Sequence, residues 1–128
     1  MENISYGQWI QDKLEELANQ TKTDGQIWRP SYSDHDRTGH ELLRTWITDA
    51  GLEWREDVIG NVYGRLSGVS TETILIGSHI DTVKNGGKYD GAAGVITGLA
   101  VLKFLKEQGV RPQYTLEVVG LVEDCLLY

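Results

Sequence analysis

One succession narrows the folding choices of this chain most. A short apolar run, Thr73–Ile76, is followed by the glycine-rich stretch GSHIDTVKNGGKYDGAAGV (residues 77–95) and later by a second strand pattern, YTLEVVGLV (residues 114–122). A continuous apolar run of this length reads as a strand covered on both faces. Between the two runs, Val95, Leu99, Leu102, Phe104 and Leu105 recur at helical spacing over residues 91–108, and Gly109 and Pro112 then break the pattern. Helices and strands alternate after residue 34, so the expected fold class is α/β: a layered α/β/α arrangement around a largely parallel or mixed sheet. The glycine-rich stretch then leaves the carboxyl end of a strand and enters a helix N-terminus, where open α/β sheets usually keep their sites.

The preceding residues supply the other elements. Trp9, Ile10, Leu14, Leu17 and Ala18 mark an amphipathic helix over residues 5–19, and residues 21–34 read as a loop containing Gly25 and Pro30. Ser33 is the expected N-cap of a second helix, with Asp34 and Asp36 in its first turn and Gly51 just past its end. The segment LEWREDVIGNVYGRLSG alternates as one or two strands interrupted near Gly60 and Asn61. A chain of 128 residues suffices for one hydrophobic core. Its net charge of −7, with lysines and arginines scattered, argues against nucleic acid or an anionic membrane as partner. A single cysteine, Cys125, excludes an intrachain disulfide framework, and the acidic amphipathic N-terminus is not a secretory signal. The location expected is cytoplasmic.

Two places carry groups with chemistry. His79 and Asp81 stand two apart at a strand end, so in extended geometry both side chains project to one side. That pattern suits an imidazole that ligates a metal through one nitrogen and donates to a carboxylate through the other. Asp90 follows a loop holding Asn85, Gly86 and Gly87, able to fold back over the strand end, and its carboxylate could bridge two cations. The plain alternative is a tight turn in which His79 caps the strand and Asp81 accepts loop amides. The second place is LVEDC, where Glu123 and Asp124 end the last strand; parallel neighbours would bring them to face the His79–Asp90 loop, as a ligand or a general base. His35 and His40, five apart and off the spacing of a helical ligand pair, are expected to be solvated. The four tryptophans read as core or interface filler, with Trp28 the one that could lie near a ligand.

The stretch from Gly77 to Val95 resembles the first metal-binding motif of the dinuclear-metal amidohydrolase and exopeptidase superfamily that includes aminoacylases and carboxypeptidases. Within it, the eleven-residue step from His79 to Asp90 through NGGKYDG resembles the N-carbamoyl-L-amino-acid hydrolase and allantoate amidohydrolase branch. YSDHDRTGHELLRTWITDAGLEWREDVIGNVYGRLSG is similar to the region before that motif, and the likeness covers about residues 25–124. The resemblance implies that His79 is a terminal metal ligand, Asp81 the acid orienting it, and Asp90 the carboxylate bridging two zinc or manganese ions. It also implies a cis peptide bond between Asp90 and Gly91. The activity implied is hydrolysis of the C–N bond of a small-molecule N-carbamoyl or ureido acid, or of allantoate, by a homodimer.

At its end the chain departs from that pattern. Three acids followed by GSRF are expected, the second acting as general base and the third as a metal ligand; here EDCLLY aligns Asp124 with the base and Cys125 with the ligand. On the resemblance, the later histidine ligands and the lid or dimerisation domain are expected to be absent from these 128 residues. Residues 1–128 are therefore expected to form the N-terminal part of a metallohydrolase catalytic domain, inactive alone. A non-catalytic binding or interaction protein that retains the fold is the competing expectation.

Overall fold

The computed structural model describes residues 5–123. The elements run α1 (Tyr6–Gln20), β1 (Lys22–Thr23), β2 (Gln26–Ile27), α2 (Asp34–Asp49), β3 (Glu53–Glu56), β4 (Val62–Leu66), β5 (Ser70–His79), α3 (Ala92–Glu107) and β6 (Tyr114–Leu121). Asp124 and Cys125, on which the general-base and thiol expectations fall, lie outside the described residues.

Four strands form one mixed sheet in the order β3-β4-β6-β5. The β3/β4 and β4/β6 pairs are antiparallel, whereas β5 and β6 run parallel with α3 crossing between them. The mixed α/β architecture expected from the alternating elements is thus present. In the sheet register Gly64 lies beside Val118, Val62 beside Gly120, and Ile76 beside Val118, which puts these residues on one face. A Cβ at Gly120 would come within 2.6 Å of Leu43 of α2, and one at Gly98 of α3 would meet Ile76 and Val118 at 3.0 Å. Helices α2 and α3 therefore cover the same face, and α1 packs on both. Leu14, Leu17, Leu43, Ile47, Val95, Leu99, Leu102 and Val118 form the core between helices and sheet. No helix among the described residues is long and apolar enough to cross a membrane.

Three local readings need correction. Strand β5 spans ten residues rather than four, and it is not covered on both faces: Ile74 and Leu75 are 50% and 55% exposed. Among the described residues β5 is the edge of the sheet, with β6 as its one hydrogen-bonded neighbour, so an apolar run did not entail burial. The segment read as a loop contains the small ribbon β1/β2, turned by Asp24 (φ 49°) and Gly25 (φ 77°), the positive-φ pair that suits a two-residue hairpin. His40 is buried at 7% exposure, not solvated. On α2 it shares a stripe with Asp36, Leu43 and Ile47, four before, three after and seven after it, which is the core-facing side.

Helix α2 starts as expected. Ser33 has extended backbone (φ −76°, ψ 168°), and its Oγ accepts from the Asp36 N–H at 3.1 Å. Replacing Ser33 with alanine is expected to lower stability by about 1 kcal/mol, measured by urea unfolding. The buried His40 adds a pH dependence. Nδ1 lies 3.0 Å from the Asp36 carbonyl and 3.3 Å from the Asp36 carboxylate. Burial pushes the imidazole pKa down, but the Asp36 carboxylate and carbonyl together with the Gly120 carbonyl outweigh it, leaving the value raised. The charged ring therefore contributes stability that is present below its ordinary pKa of about 6.5 and lost as pH rises through the raised value. The stability gap between the wild type and His40→Gln should be wider at pH 6 than at pH 8; an equal gap at both would contradict the pairing.

Candidate metal centre

The parallel register between β5 and β6 ends with His79 beside Leu121, so both strands release their chains at the same end of the sheet. From β5 emerges the segment Ile80–Gly91; from β6 emerges Val122–Glu123. The second exit is held by the turn between β3 and β4. There Asp57 Oδ1 accepts the N–H groups of Ile59, Gly60 and Asn61 at 3.0–3.1 Å, while its Oδ2 takes the Asn61 amide at 2.8 Å. These bonds, led by that from the Asn61 side chain, hold the Asp57 carboxyl below its usual range. So oriented, the Asn61 Oδ1 accepts from the Val122 N–H at 3.0 Å and fixes where the acidic segment leaves β6.

His79, Asp81 and Asp90 meet at the β5 exit. The His79 Nδ1 lies 3.1 Å from both the Asp81 carbonyl and the Asp81 Oδ1. Both partners are acceptors, an arrangement that suits a proton on Nδ1 and, in the neutral tautomer, a lone pair on Nε2. Nε2 in turn is 3.8 Å from Asp90 Oδ2. Asp81 is almost fully buried (1% of its side chain exposed), and its second oxygen accepts from Ser31 Oγ at 3.2 Å. The Asp90 carboxylate, by contrast, is 71% exposed. One side of the imidazole is thus locked into the protein, and the other faces an accessible carboxylate.

Gly91 makes that approach possible. A Cβ there would lie 2.6 Å from His79 Nδ1 and would overlap the His79 carbonyl. Its φ of 68° and ψ of −59° form a γ-turn, in which the Ala92 N–H donates to the Asp90 carbonyl at 2.7 Å. The expected cis bond is absent: no peptide bond among the described residues is cis. The reversal that brings Asp90 back over the strand end is made by the positive φ of Gly91 on a trans bond.

The donor set suits a divalent cation of the zinc or manganese type, an imidazole nitrogen beside a carboxylate. Among the described residues no group of three or more His, Cys, Asp or Glu side chains is gathered closely enough to hold an ion. Glu123 is exposed and lines a groove of about 360 Å³ with Trp28, Pro30, Ser31, Thr82, Val83 and Lys84, which places the two strand exits side by side. Trp28 therefore does stand near the site, with Lys84 5.5 Å from its ring centre. Sequence reasoning missed Arg29, Ser31 and Asn61. The first two lie in the stretch read as a loop, and only the DVIGN turn signal pointed toward Asn61.

Known proteins share this sequence pattern and this fold. A family model described as Peptidase family M28 matches residues 61–122. The chain is 44% identical over 126 residues to an allantoate amidohydrolase of Bacillus subtilis (strain 168), covering 96% of this chain and 31% of that protein. It is 38% identical to an N-carbamoyl-L-amino-acid amidohydrolase of Pseudomonas sp. (strain NS671), covering 87% and 28% respectively. A crystal structure of an amidase of the hydantoinase/carbamoylase family from Burkholderia multivorans superimposes with a TM-score of 0.86 at 31% identity, over 93% of this chain and 30% of that one. The chain spans about a third of the length of the curated relatives it matches. By motif, by sequence and by fold, it belongs to the amidohydrolase and exopeptidase superfamily, on the N-carbamoyl-L-amino-acid hydrolase and allantoate amidohydrolase branch.

Proposed function

We propose that residues 1–128 provide the first part of the catalytic domain of a metal-dependent amidohydrolase, one that cleaves the C–N bond of an N-carbamoyl or ureido acid such as allantoate. The observation that carries this reading is the His79 ring, pinned by Asp81 on Nδ1 while Nε2 faces Asp90. The relatives' names, allantoate amidohydrolase and N-carbamoyl-L-amino-acid amidohydrolase, supply the substrate class. In the whole protein we propose a homodimer, cytoplasmic, acting on small molecules.

His79 Nε2 would ligate one cation, zinc or manganese, and the Asp90 carboxylate would bridge it to a second. The chemistry such a pair supplies when bound is polarisation of the scissile carbonyl and a lowered pKa for water. Asp81 accepts the Nδ1 proton and so sets the tautomer and makes the ring a better donor. Asp124 is proposed, on the family pattern alone, as the base that takes a proton from the attacking water. Burial of Asp81 keeps that carboxylate out of solvent, while the exposure of Asp90 leaves its oxygens accessible from the strand-end side. A second reading, of a binding protein that keeps the fold without turnover, rests on Cys125 standing where the family pattern has a carboxylate ligand.

Two tests separate these readings. With His79 and Asp90 as its ligands, the 128-residue chain should bind zinc weakly in calorimetry. The binding free energy should fall well short of the roughly 10–16 kcal/mol of a four-ligand structural site, and His79→Ala should abolish it. Tight binding of two ions per chain, or weak binding indifferent to His79→Ala, would count against the assignment. Gly91→Ala should lower stability by about 2–5 kcal/mol, from the positive φ and the overlap with His79, and should remove zinc binding with it. A Gly91→Ala protein as stable as the wild type would show that Asp90 is not held against His79 as described.

A further inference from the structure

Arg29 has 1% of its surface exposed and is the largest fully buried side chain among the described residues. Its hydrogen bonds run to two places. Nη1 donates to Thr21 Oγ1 at 2.6 Å, and that hydroxyl donates to the Leu17 carbonyl at 2.6 Å, so the guanidinium is moored to the end of α1. The other bonds go to the β5 exit. Nε donates to the Ile80 carbonyl, the Arg29 N–H donates to Thr82 Oγ1 at 2.8 Å, and the Arg29 carbonyl accepts from the Thr82 N–H at 2.8 Å. One residue thus holds the chain immediately before and immediately after Asp81.

A buried cation is costly unless acceptors and opposite charges surround it. Burial pulls the Arg29 pKa down to about 10, and the Asp36 and Asp81 carboxylates oppose that pull, so the group remains charged at neutral pH. Of its side-chain donors, Nε goes to the Ile80 carbonyl just before Asp81 and Nη1 goes to Thr21 at the end of α1. The guanidinium thus reaches α1 and the flank before Asp81, the main chain of the same residue holds the flank after it, and the charge acts on the Asp81 carboxylate itself; a simple strut would need only the first two bonds. Lysine keeps the charge but lacks the planar fork whose separate nitrogens, Nε and Nη1, serve Ile80 and Thr21 here.

We infer that Arg29 is a positioning residue for the candidate metal centre: by gripping the backbone on both sides of Asp81, it sets that residue's carboxylate and carbonyl on His79 Nδ1 and keeps the ring lone pair on Nε2, toward Asp90. This rests on the reading of His79 as a ligand, but the tautomer exists with or without a metal, which makes the two separable. The experiment uses the full 128-residue chain labelled with ¹⁵N-histidine, at pH 8. Long-range ¹H–¹⁵N spectra report the His79 tautomer, and competition against a chromophoric chelator reports the affinity for zinc ion alone. The wild type should show the Nδ1–H form. Arg29→Lys should give a mixture of tautomers and about 10-fold weaker zinc binding. Thr82→Val, which removes the acceptor of the Arg29 main-chain N–H, should shift the ring signals the same way, and unchanged signals in it would overturn the two-sided grip if Arg29→Lys does not fold. Thr21→Val should lower the melting temperature and leave the His79 signals unchanged. Wild-type His79 signals in Arg29→Lys, or equal disturbance of them by Thr21→Val, would reduce Arg29 to a packing strut. Arg29-dependent tautomers in a chain whose His79 signals ignore zinc would keep the positioning role and overturn the metal reading instead.

Discussion

The parallel ladder between β5 and β6 is the constraint on which the rest of the site depends. Because the pairing continues to His79 and Leu121, the last residues of both strands, the chain segments that follow must emerge together at one end of the sheet. The crossover through α3 makes this possible, since parallel neighbours cannot be joined by a short hairpin. Had β5 and β6 been antiparallel, Glu123 would lie a full strand length from Thr82 instead of sharing a groove with it.

Each exit is secured by a buried polar clamp supplied from elsewhere in the chain. Arg29 holds Ile80 and Thr82 around Asp81, and Asn61, itself oriented by Asp57, holds Val122. The clamps differ in kind. Arg29 brings a full charge into the buried interior and is tolerated because Asp36, Asp81, Thr21 and Ile80 surround it with oxygens. Asn61 is neutral, and its cost is met by an amide that both donates and accepts. Groups of this type add little net stability but restrict the positions that a strand exit can take. The buried Asp36–His40 pair of α2 is linked to the first clamp, because the Asp36 carboxylate is one of the two charges acting on Arg29.

Much of the architecture was legible from period and punctuation. Ser33 and Gly51 bracket α2 as read, Gly91 and Gln108 bracket α3, and the break near Gly60 and Asn61 separates β3 from β4. These signals act over a few residues, through caps, glycine conformations and side-chain alternation, so the chain states them locally. Burial was less legible. The Thr73–Ile76 run looked like a central strand because its apolar residues are consecutive, yet exposure is a property of neighbours, and β5 has β6 on one side only among the described residues. The burial of His40 is signalled by its four-residue distance from Asp36 on α2, not by its five-residue distance from His35.

The sequence by itself determined the candidate site's ingredients: a histidine and an aspartate two apart at a strand end, a glycine-bearing loop, and a second aspartate followed by Gly91. Those follow from local order, and the family likeness is carried by the same residues. Tertiary structure decided the protonation geometry of His79, because the proton's place depends on which oxygens reach Nδ1, and those oxygens are aimed by contacts 50 to 53 residues away in the chain, from Ser31 and Arg29. It decided, too, that the Asp90 reversal is made by a γ-turn at Gly91 on a trans bond, since the space beside His79 admits no Cβ. Local spacing sets which groups can approach one another; long-range packing sets which atom of each group faces the other.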